Sequence, residues 1–382
     1  MKRVDDTFRQ VDKFGAGKDG YTEGDPGVTA RTGIRADMLD HIQEEIARVP
    51  EAAGLTLGGG YGQLLDTLQA IAADSAFSEY TDHAYAGTIA NNGTEAACLF
   101  DVPGSDDETW VVCHLGGEIS RSTDRGVTWS EITSGVGANN LHSVCSNGSP
   151  STAGSLFCAV GAAGDIHTSP TGSAWTARTA GGGYAGIFRK VIFAGGQFIA
   201  VGASGAIQTS PDGITWTART AAGGYTDPFW GVAHSGTLYT IVGENGQIQT
   251  SPDGITWTAR SPAGAYAGDW VDVAYGNGVF VAVSVSDDEI QTSPDGITWT
   301  ARTAPTAWGD SGALIFACGL FIAFESAQGF LAVSIDGIVW RARRFTGNGT
   351  MIGAGVGPGR VIIATPNGVQ RSRRASVLLD GF

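Results

Sequence analysis

The chain has 382 residues, enough for one large domain and a small one. Hydrophobic residues make up 42% of it, which suffices for a substantial core, while charged residues make up only 16%. Its 58 glycines favour many short strands joined by tight turns. The net charge of −15 argues against a nucleic-acid partner, because phosphate contacts need clustered lysines and arginines.

Cysteine spacing and the N-terminus exclude several further classes. The cysteines lie singly in apolar, strand-like runs, so we expect buried free thiols rather than disulfides or a zinc site. The first residues, MKRVDDTFRQVDKFG, contain no apolar stretch, which predicts no signal peptide. Nothing approaches the roughly 18 apolar residues of a membrane span, so we expect no membrane insertion. The cysteines are Cys98, Cys113, Cys145, Cys158 and Cys318.

Residues 1–80 differ in kind from the rest of the chain. A polar, glycine-rich stretch precedes ADMLDHIQEEIARV (36–49), whose apolar residues recur at helical spacing and predict an amphipathic helix. GQLLDTLQAIA (62–72) predicts a second helix. Two helices alone bury little surface, so they must pack on each other, on the rest of the chain or on another chain. The apolar stripe of the first helix is Leu39, Ile42, Ile46 and Val49.

The remainder of the sequence repeats one unit of about 41 residues. Two aromatic ladders keep this spacing, one from Phe157 to Phe321 and the other from Phe193 to Phe316. The string TSPDGITWTAR occurs at 209–219, 250–260 and 292–302, with degenerate copies at 122–131, 168–178 and 333–343. Its tryptophans are Trp129, Trp175, Trp216, Trp257, Trp299 and Trp340. Such regular copies indicate one supersecondary unit.

Within the unit at 188–219, four short β-branched or aromatic runs are separated by turn residues, which predicts four strands. In the last turn, Asp212 is expected to accept hydrogen bonds from backbone amides. Gly213 supplies a backbone conformation that a Cβ would hinder, and Trp216 returns to pack on its own unit. We therefore interpret the repeated tryptophans as structural, together with Asp124, Asp212, Asp253, Asp295 and Asp336. Thr171 takes the place of the aspartate in the second copy.

Four strands in about 41 residues is the size of a β-propeller blade, so we predict an all-β propeller. Six units begin near Ala97, Leu141, Phe188, Phe229, Trp270 and Gly312. Strand-like runs follow Arg343, which favours seven blades, with six blades and trailing strands as the alternative. Residues 81–92 are expected to lend a strand to the last blade and close the ring. The predicted domains are a small α-helical segment, 1–80, and the propeller, 81–382.

One face of the predicted propeller combines aromatic, glycine and acidic or amide residues. Loops from each outermost strand to the next innermost strand share this face with the loops that join second and third strands. We predict that it binds a glycan, whose apolar faces stack on aromatic rings while polar groups bond its hydroxyls. The alternative is that Trp230 and Trp270 pack between blades. The candidate binding residues are Tyr184, Tyr225, Tyr266, Trp308, Trp230, Trp270, Asp165, Glu244, Asn245, Asp287 and Asp288.

The sequence favours binding without catalysis. A glycosidase needs two carboxylates roughly 5–10 Å apart, and nothing pairs Asp269, Asp272, Asp310 and Glu325. His234 occupies a register held elsewhere by phenylalanine and tyrosine, which favours packing. We expect no catalytic residue, no metal and no cofactor. The repeated arginines lie on predicted outermost strands, where we expect them to be solvated or paired: Arg178, Arg219, Arg260, Arg302 and Arg343.

Two resemblances to known families follow from these motifs. The turn S-x-D-x-G-x-T-W resembles the Asp-box pattern of sialidase-like propellers, and it implies the propeller scaffold without an activity. HIQEEIARVPEAAGLTL and YGQLLDTLQAI resemble the N-terminal region of bacteriophage tail fibre and tail tip proteins over about 60 residues. This chain departs from that family's pattern where Gly60-Tyr61-Gly62 replaces the usual Asn-Thr.

The second resemblance implies a role in the virion. Residues 1–80 would attach to other tail proteins through the stripe of Leu39, Ile42, Ile46 and Val49, and the propeller would bind a host-surface glycan or other receptor. Tail proteins of this family are homo-oligomers, most often trimers, made in the host cytoplasm. The alternatives are a glycan-degrading tail enzyme and a structural tail protein that binds no receptor.

Overall fold

The structure is a computed structural model that describes part of the chain, all of it within one compact unit, Phe77–Ala375. The predicted helices at 36–49 and 62–72, with Leu39, Ile42, Ile46 and Val49, lie outside the described residues. So do Trp308, Asp287 and Asp310. The described residues are 80–83, 93–99, 108–132, 137, 139–148, 154–284, 288–304, 311–317, 319–325, 330–344, 353–357, 360–365 and 368–372.

The described residues form seven antiparallel sheets of four strands each, which we number sheets 1 to 7 in chain order. In sheets 1 to 6 the four strands follow one another in sequence. Their first strands are Gly93–Leu99, Leu141–Ser146, Phe188–Ala194, Phe229–His234, Trp270–Gly276 and Ser311–Ala317. Their second strands are Thr109–His114, Phe157–Gly161, Gln197–Gly202, Tyr239–Gly243, Val279–Ser284 and Leu320–Glu325.

The outer half of each sheet is built from shorter strands. The third strands are Ile119–Ser122, Ile166–Ser169, Ile207–Ser210, Ile248–Ser251, Glu289–Ser293 and Phe330–Ser334. The fourth strands are Ser130–Ile132, Thr176–Arg178, Thr217–Arg219, Thr258–Arg260, Thr300–Thr303 and Arg341–Arg344. In sheet 7 the first three strands are Gly353–Gly357, Arg360–Thr365 and Gly368–Ser372.

The first strands form a closed ring. Each contacts the first strand of the next sheet, and the first strand of sheet 7 contacts that of sheet 1. The first strands are therefore innermost and the fourth strands outermost. Sheet 7 takes its outermost strand from the other end of the chain, because Tyr80–His83 pairs with Gly368–Ser372. The closing strand that the sequence predicts within 81–92 thus lies at 80–83.

Both faces of the sheets are covered by neighbouring sheets, which is why their second strands are apolar without alternation. In sheet 3, Phe198 and Ala200 pack with sheet 2, whereas Ile199 and Val201 pack with sheet 4. The two predicted aromatic ladders meet in sheets 3 to 6, with ring centroids 4.1–4.9 Å apart. The core therefore consists of layers between sheets, each filled from both sides.

The turn between third and fourth strands has the bonding that its sequence predicts. Asp212 accepts hydrogen bonds from the amides of Ile214 and Thr215 at 2.8 and 2.9 Å. These bonds, that of Thr215 first, lower the pKa of the Asp212 carboxyl because they favour its charged form. The indole Nε1 of Trp216 donates to the carbonyl of Gly213 at 3.0 Å. The same bonds recur around Asp253, Asp295 and Asp336.

The first two copies of this turn differ from the others. In sheet 1, Arg125 stands between Asp124 and the glycine, so the S-x-D-x-G spacing holds there, whereas glycine follows the aspartate directly in later copies. The expected S-x-D-x-G-x-T-W pattern is therefore one residue too long for the later copies. In sheet 2 the hydroxyl of Thr171 accepts a hydrogen bond from the amide of Ser173 at 3.4 Å, which replaces part of the aspartate's bonding.

Three cysteines have described side chains, and all three are free thiols. Cys113 and Cys158 are buried, and Cys145 is half-buried. Burial raises the pKa of the Cys158 thiol, which keeps it protonated and unreactive. Within the described ranges no helix is long and apolar enough to cross a membrane.

Stability is expected to fall as the pH drops from about 6.5 to about 4, partly because of His114 in sheet 1. Burial lowers the pKa of this histidine from 6.5 to about 4, so the folded state keeps it neutral. The unfolded state binds more protons in that window, which destabilises the folded chain by about 3 kcal/mol at most. Denaturant unfolding at several pH values measures this slope. The variant His114→Gln should show a shallower slope, and an equal one would contradict the assignment.

Candidate binding face

Two sets of loops meet at one end of the ring, which we call the loop face. The first set joins outermost to innermost strands, at 179–187, 220–228 and 261–269; the second joins second and third strands, at 162–165, 203–206 and 244–247. Backbone hydrogen bonds of 2.6–3.0 Å tie the two sets together, from Gly164 to Gly186, Gly205 to Asp227 and Gly246 to Gly268. Because antiparallel strands alternate in direction, the Ser-Pro-Asp-Gly turns lie at the opposite end.

Each candidate tyrosine follows a short 3₁₀ turn and braces its loop. The turns are Gly181–Gly183, Ala222–Gly224 and Ala263–Ala265, and two more, Ala162–Gly164 and Ala203–Gly205, lie in the second set of loops. Tyr184, Tyr225 and Tyr266 each pack on the first residue of the following innermost strand, with ring centroids 4.6–4.8 Å apart. The hydroxyls of Tyr184 and Tyr225 donate to loop carbonyls, and the rings of both tyrosines are half-buried.

Three buried glutamines hold these 3₁₀ turns in place. The amide group of Gln208 accepts a hydrogen bond from the backbone N–H of Gly181 at 2.7 Å and donates to its carbonyl at 3.1 Å. Gln249 holds Ala222 and Gln291 holds Ala263 in the same way. The sequence analysis missed this role, although the glutamine recurs in IQTSPDGITW. The turns that precede the tyrosines are therefore held by side chains of the third strands.

The substitution Gln249→Leu is expected to lower the free energy of unfolding by about 1–3 kcal/mol. Leucine fills similar space but leaves the N–H of Ala222 without its partner and removes one of two hydrogen bonds to the Ala222 carbonyl, which also accepts from the amide of Tyr225. Thermal or denaturant unfolding measures the change. The matched control is Gln247→Leu, because the Gln247 residue is half-buried and, among the described residues, its side chain donates to the adjacent carbonyl of Ile248 rather than to a loop of another strand. Equal stabilities of the two variants would show that the paired hydrogen bonds contribute nothing.

The polar candidates on the loop face serve different purposes. Asp165 accepts a hydrogen bond from the side chain of Asn139 at 3.0 Å. The backbone amide of Asn245 donates to Asp269 at 3.0 Å and its side chain donates to Asp227 at 3.1 Å, so Asn245 ties loops together. Asp288 is exposed. Only part of the predicted polar set is therefore free to meet a ligand.

The two candidate tryptophans occupy different environments. Trp270 is fully buried and packs on Tyr266, so it takes the packing role that was the alternative. Trp230 is half-buried, and its Nε1 donates to Oε1 of Glu244 at 3.3 Å. The guanidinium of Arg189 lies over the Trp230 ring, 4.2 Å from its centroid. Arg189 is absent from the predicted binding residues, although it is the one arginine on the described innermost strands.

An ion pair beside Arg189 joins the innermost strands of two sheets that are not neighbours. Nζ of Lys190 in sheet 3 lies 3.4 Å from Oδ2 of Asp272 in sheet 5. Sheet 4 has Gly231 between them, and a Cβ there would lie 2.8 Å from Oδ1 of Asp272. The Asp272 carboxylate also accepts a hydrogen bond from the amide of Leu314 in sheet 6 at 3.2 Å. The glycine thus leaves room for a buried charge that is fully paired.

The groups weighed for catalysis have structural partners where they are described. Asp269 holds Asn245, and Asp272 is paired with Lys190. The ring of His234 packs on Tyr239, with centroids 4.1 Å apart. The side chains of Glu325 and Arg343 lie outside the described set. No group of three or more His, Cys, Asp or Glu side chains in the described part of the chain could hold a metal.

The repeated arginines of the outermost strands are paired within their own sheets. Each described one donates from Nε to a threonine hydroxyl of the adjacent third strand, at 2.8–2.9 Å. They lie far from the ring of innermost strands, and therefore far from Arg189 and Trp230. These arginines are Arg178, Arg219, Arg260 and Arg302.

Comparison with known sequences gives a partial match. No protein-family model matches the chain. An uncharacterized protein of Escherichia coli, StfP, is 45% identical over 73 residues, which are 19% of this chain and 35% of that relative. The chain therefore spans about a third of the length of the curated relative that it matches.

Solved structures show the same fold at low identity. Virginiamycin B lyase from Staphylococcus aureus superposes with a TM-score of 0.63 at 12% identity, covering 77% of this chain and 98% of the lyase. YCF48 bound to D1 peptide gives 0.60 at 14% identity, covering 77% and 94%. The WD40 β-propeller domain of Doa1 gives 0.57 at 11% identity, covering 77% and 96%. The chain therefore has the fold of a β-propeller, and these likenesses carry no function.

Proposed function

We propose that this chain is a bacteriophage tail protein whose propeller binds a host-surface glycan through the loop face and does no chemistry. The tail assignment rests on the resemblance of HIQEEIARVPEAAGLTL and YGQLLDTLQAI to tail fibre N-terminal regions, and the partial match to StfP supports it. Residues 1–80 join the virion, where the chain is a homo-oligomer. We interpret the sheets as seven blades of the Asp-box type.

The cluster of Arg189, Trp230 and Glu244 is the observation that favours glycan binding most. It combines an aromatic ring, a cationic donor and an anionic acceptor on the loop face, the mixture that sugar sites use. The half-buried rings of Tyr184, Tyr225 and Tyr266 surround the ring of innermost strands at the same end. Asp269 and Asp272, the two described carboxylates weighed for catalysis, have structural partners, which argues against their use as a hydrolytic pair.

Adsorption of the purified chain to host cells is the direct test. We expect binding that purified surface polysaccharide competes away, with no release of reducing sugar during the incubation. Cells stripped of surface polysaccharide should not bind. Failure to adsorb to any host strain would overturn the receptor-binding proposal, and reducing-sugar release would replace it with a glycan-degrading enzyme.

A steric block identifies the face that binds. Thr226 is exposed on the loop face, and Ile255 is 48% exposed in a turn at the opposite end. Each is changed to cysteine and labelled with a maleimide polymer, and wild-type chain taken through the same reaction accounts for the half-buried Cys145. We expect the label at 226 to abolish adsorption and the label at 255 to leave it intact. The reverse result would place the receptor on the other face.

A further inference from the structure

Six innermost strands carry a β-bulge at the same height, beside the loop face. In each, the pairing register skips the second residue of the strand. A bulge re-aims a side chain, and bulges are common beside binding sites. The skipped residues are Thr94, His142, Arg189, Trp230, Val271 and Gly312. They form one tier of the ring, at the end where the loops meet.

This tier varies although the surrounding repeat does not. In sheets 3 to 5 the third strand reads IQTS each time and the turn reads PDGITW each time. Within these copies, the glutamine, the aspartate and the tryptophan make the same hydrogen bonds in every sheet. The bulge position in the same sheets holds Arg189, Trp230 and Val271. The scaffold therefore does not determine the residue at this position.

The guanidinium of Arg189 has a hydrogen-bond donor that no described residue satisfies, and the fold does not explain why an arginine stands at this position. Its Nε is buried and has no hydrogen-bond partner among the described residues. Its guanidinium stacks on Trp230 of the next sheet, which holds the group flat and fixes its direction. A buried donor without an acceptor is unfavourable unless an acceptor arrives from outside. A ligand oxygen bonded to the half-buried guanidinium would supply an acceptor for this group.

The charges around Arg189 indicate what kind of ligand fits. Glu244 is near enough to raise the pKa of Arg189, although burial is the larger effect and lowers it. Burial and then the charge of Arg189 lower the pKa of His142, so this histidine is neutral near pH 7. Lys190 is paired with Asp272. Asp227 and Asp269, in the same loops, are bonded to Asn245. With these groups paired, Arg189 and Glu244 are the one positive and one negative group left for a ligand, which needs no charge of its own.

We propose, on the basis of the proposed glycan-binding function, that Arg189, Trp230 and Glu244 form a subsite for an uncharged sugar unit. A ligand hydroxyl or ring oxygen accepts from the guanidinium of Arg189. A second hydroxyl donates to the Glu244 carboxylate, whose Oε1 is held by Nε1 of Trp230. The subsite thus selects neutral sugars over acidic ones, because a ligand carboxylate would face the charge of Glu244.

Binding of oligosaccharides to the full chain tests this subsite. Surface polysaccharide of an adsorbing host strain is cleaved and separated by anion exchange into neutral and acidic fractions, and each fraction is titrated by calorimetry. We expect the wild-type chain to bind the neutral fraction, with little dependence on salt. Arg189→Met keeps an apolar stem over Trp230 and removes every donor. It should weaken binding roughly tenfold to a hundredfold without lowering the melting temperature.

Two further variants separate recognition from structure. Arg219→Met removes an arginine of an outermost strand, whose Nε donates to Thr209, and should leave the affinity unchanged. Arg189→Lys keeps the charge without the planar Nε donor and should also bind more weakly, which keeps the test decisive if Arg189→Met fails to fold.

Three outcomes would overturn the subsite, and they are distinguishable from failure of the proposed function. Full affinity of the folded Arg189 variants for the neutral fraction would show that Arg189 is not used. A wild-type chain that binds only the acidic fraction, or adsorbs to cells but binds neither fraction, would reject an uncharged sugar as its ligand. A wild-type chain that adsorbs to no host strain would reject receptor binding itself, and the subsite with it.

Discussion

Replacing Trp216 with alanine is expected to lower the free energy of unfolding by about 3–5 kcal/mol. The indole is 6% exposed, and its ring centroid lies 6.3 Å from that of Phe198 in the layer between sheets 2 and 3. Its Nε1 donates to the carbonyl of Gly213, so alanine both opens a cavity and removes a buried hydrogen bond. Denaturant unfolding of the purified chain measures the difference.

A neighbouring residue in the same turn provides the matched control. Ile214 is 49% exposed, although it lies two residues before the tryptophan. We expect Ile214→Ala to change stability by no more than about 0.5 kcal/mol, because it removes little buried surface. A Trp216→Ala chain as stable as the Ile214→Ala chain would show that the repeated tryptophans are not core residues.

The double substitution Thr81→Pro with Asp82→Pro is expected to lower the free energy of unfolding by about 1–3 kcal/mol. Thr81 and Asp82 pair with Arg371 and Gln370 in the outermost strand of sheet 7. Because adjacent residues of a strand point their amides in opposite directions, one of the two prolines must remove a ladder hydrogen bond. The strand joins the two ends of the described chain, so its loss should also expose sheet 7 to proteolysis.

The same two positions supply the control for this prediction. Thr81→Val with Asp82→Val keeps both amides and introduces β-branched side chains that suit a strand. We expect that chain to unfold like the wild type and to resist protease equally. If the proline and valine chains behave alike, Tyr80–His83 does not hold the ring closed.

Much of the fold could be predicted because its determinants are local and copied. Asp212, Gly213 and Trp216 bond one another within a few residues, so one correct interpretation of the turn applies to every copy. The strand order follows from short turns, which force antiparallel neighbours. The role of Tyr80–His83 could also be predicted, since a ring of sheets must close and the segment before the first unit is strand-like. The S-x-D-x-G-x-T-W pattern was one residue too long for the later copies because it took the spacing between aspartate and glycine from the first copy.

The sequence by itself therefore determined the repeat, the four-stranded unit and its core residues, and it named Trp230 and Glu244 as candidates. Only the tertiary structure decided that Arg189 joins them. Arg189, Trp230 and Glu244 lie in different strands and loops of sheets 3 and 4, and bulges and ring curvature bring them together. The Lys190–Asp272 pair even passes over an intervening sheet. The period of a sequence pattern predicts local structure. Contacts across the ring depend on how the sheets are arranged around it, which no local pattern encodes.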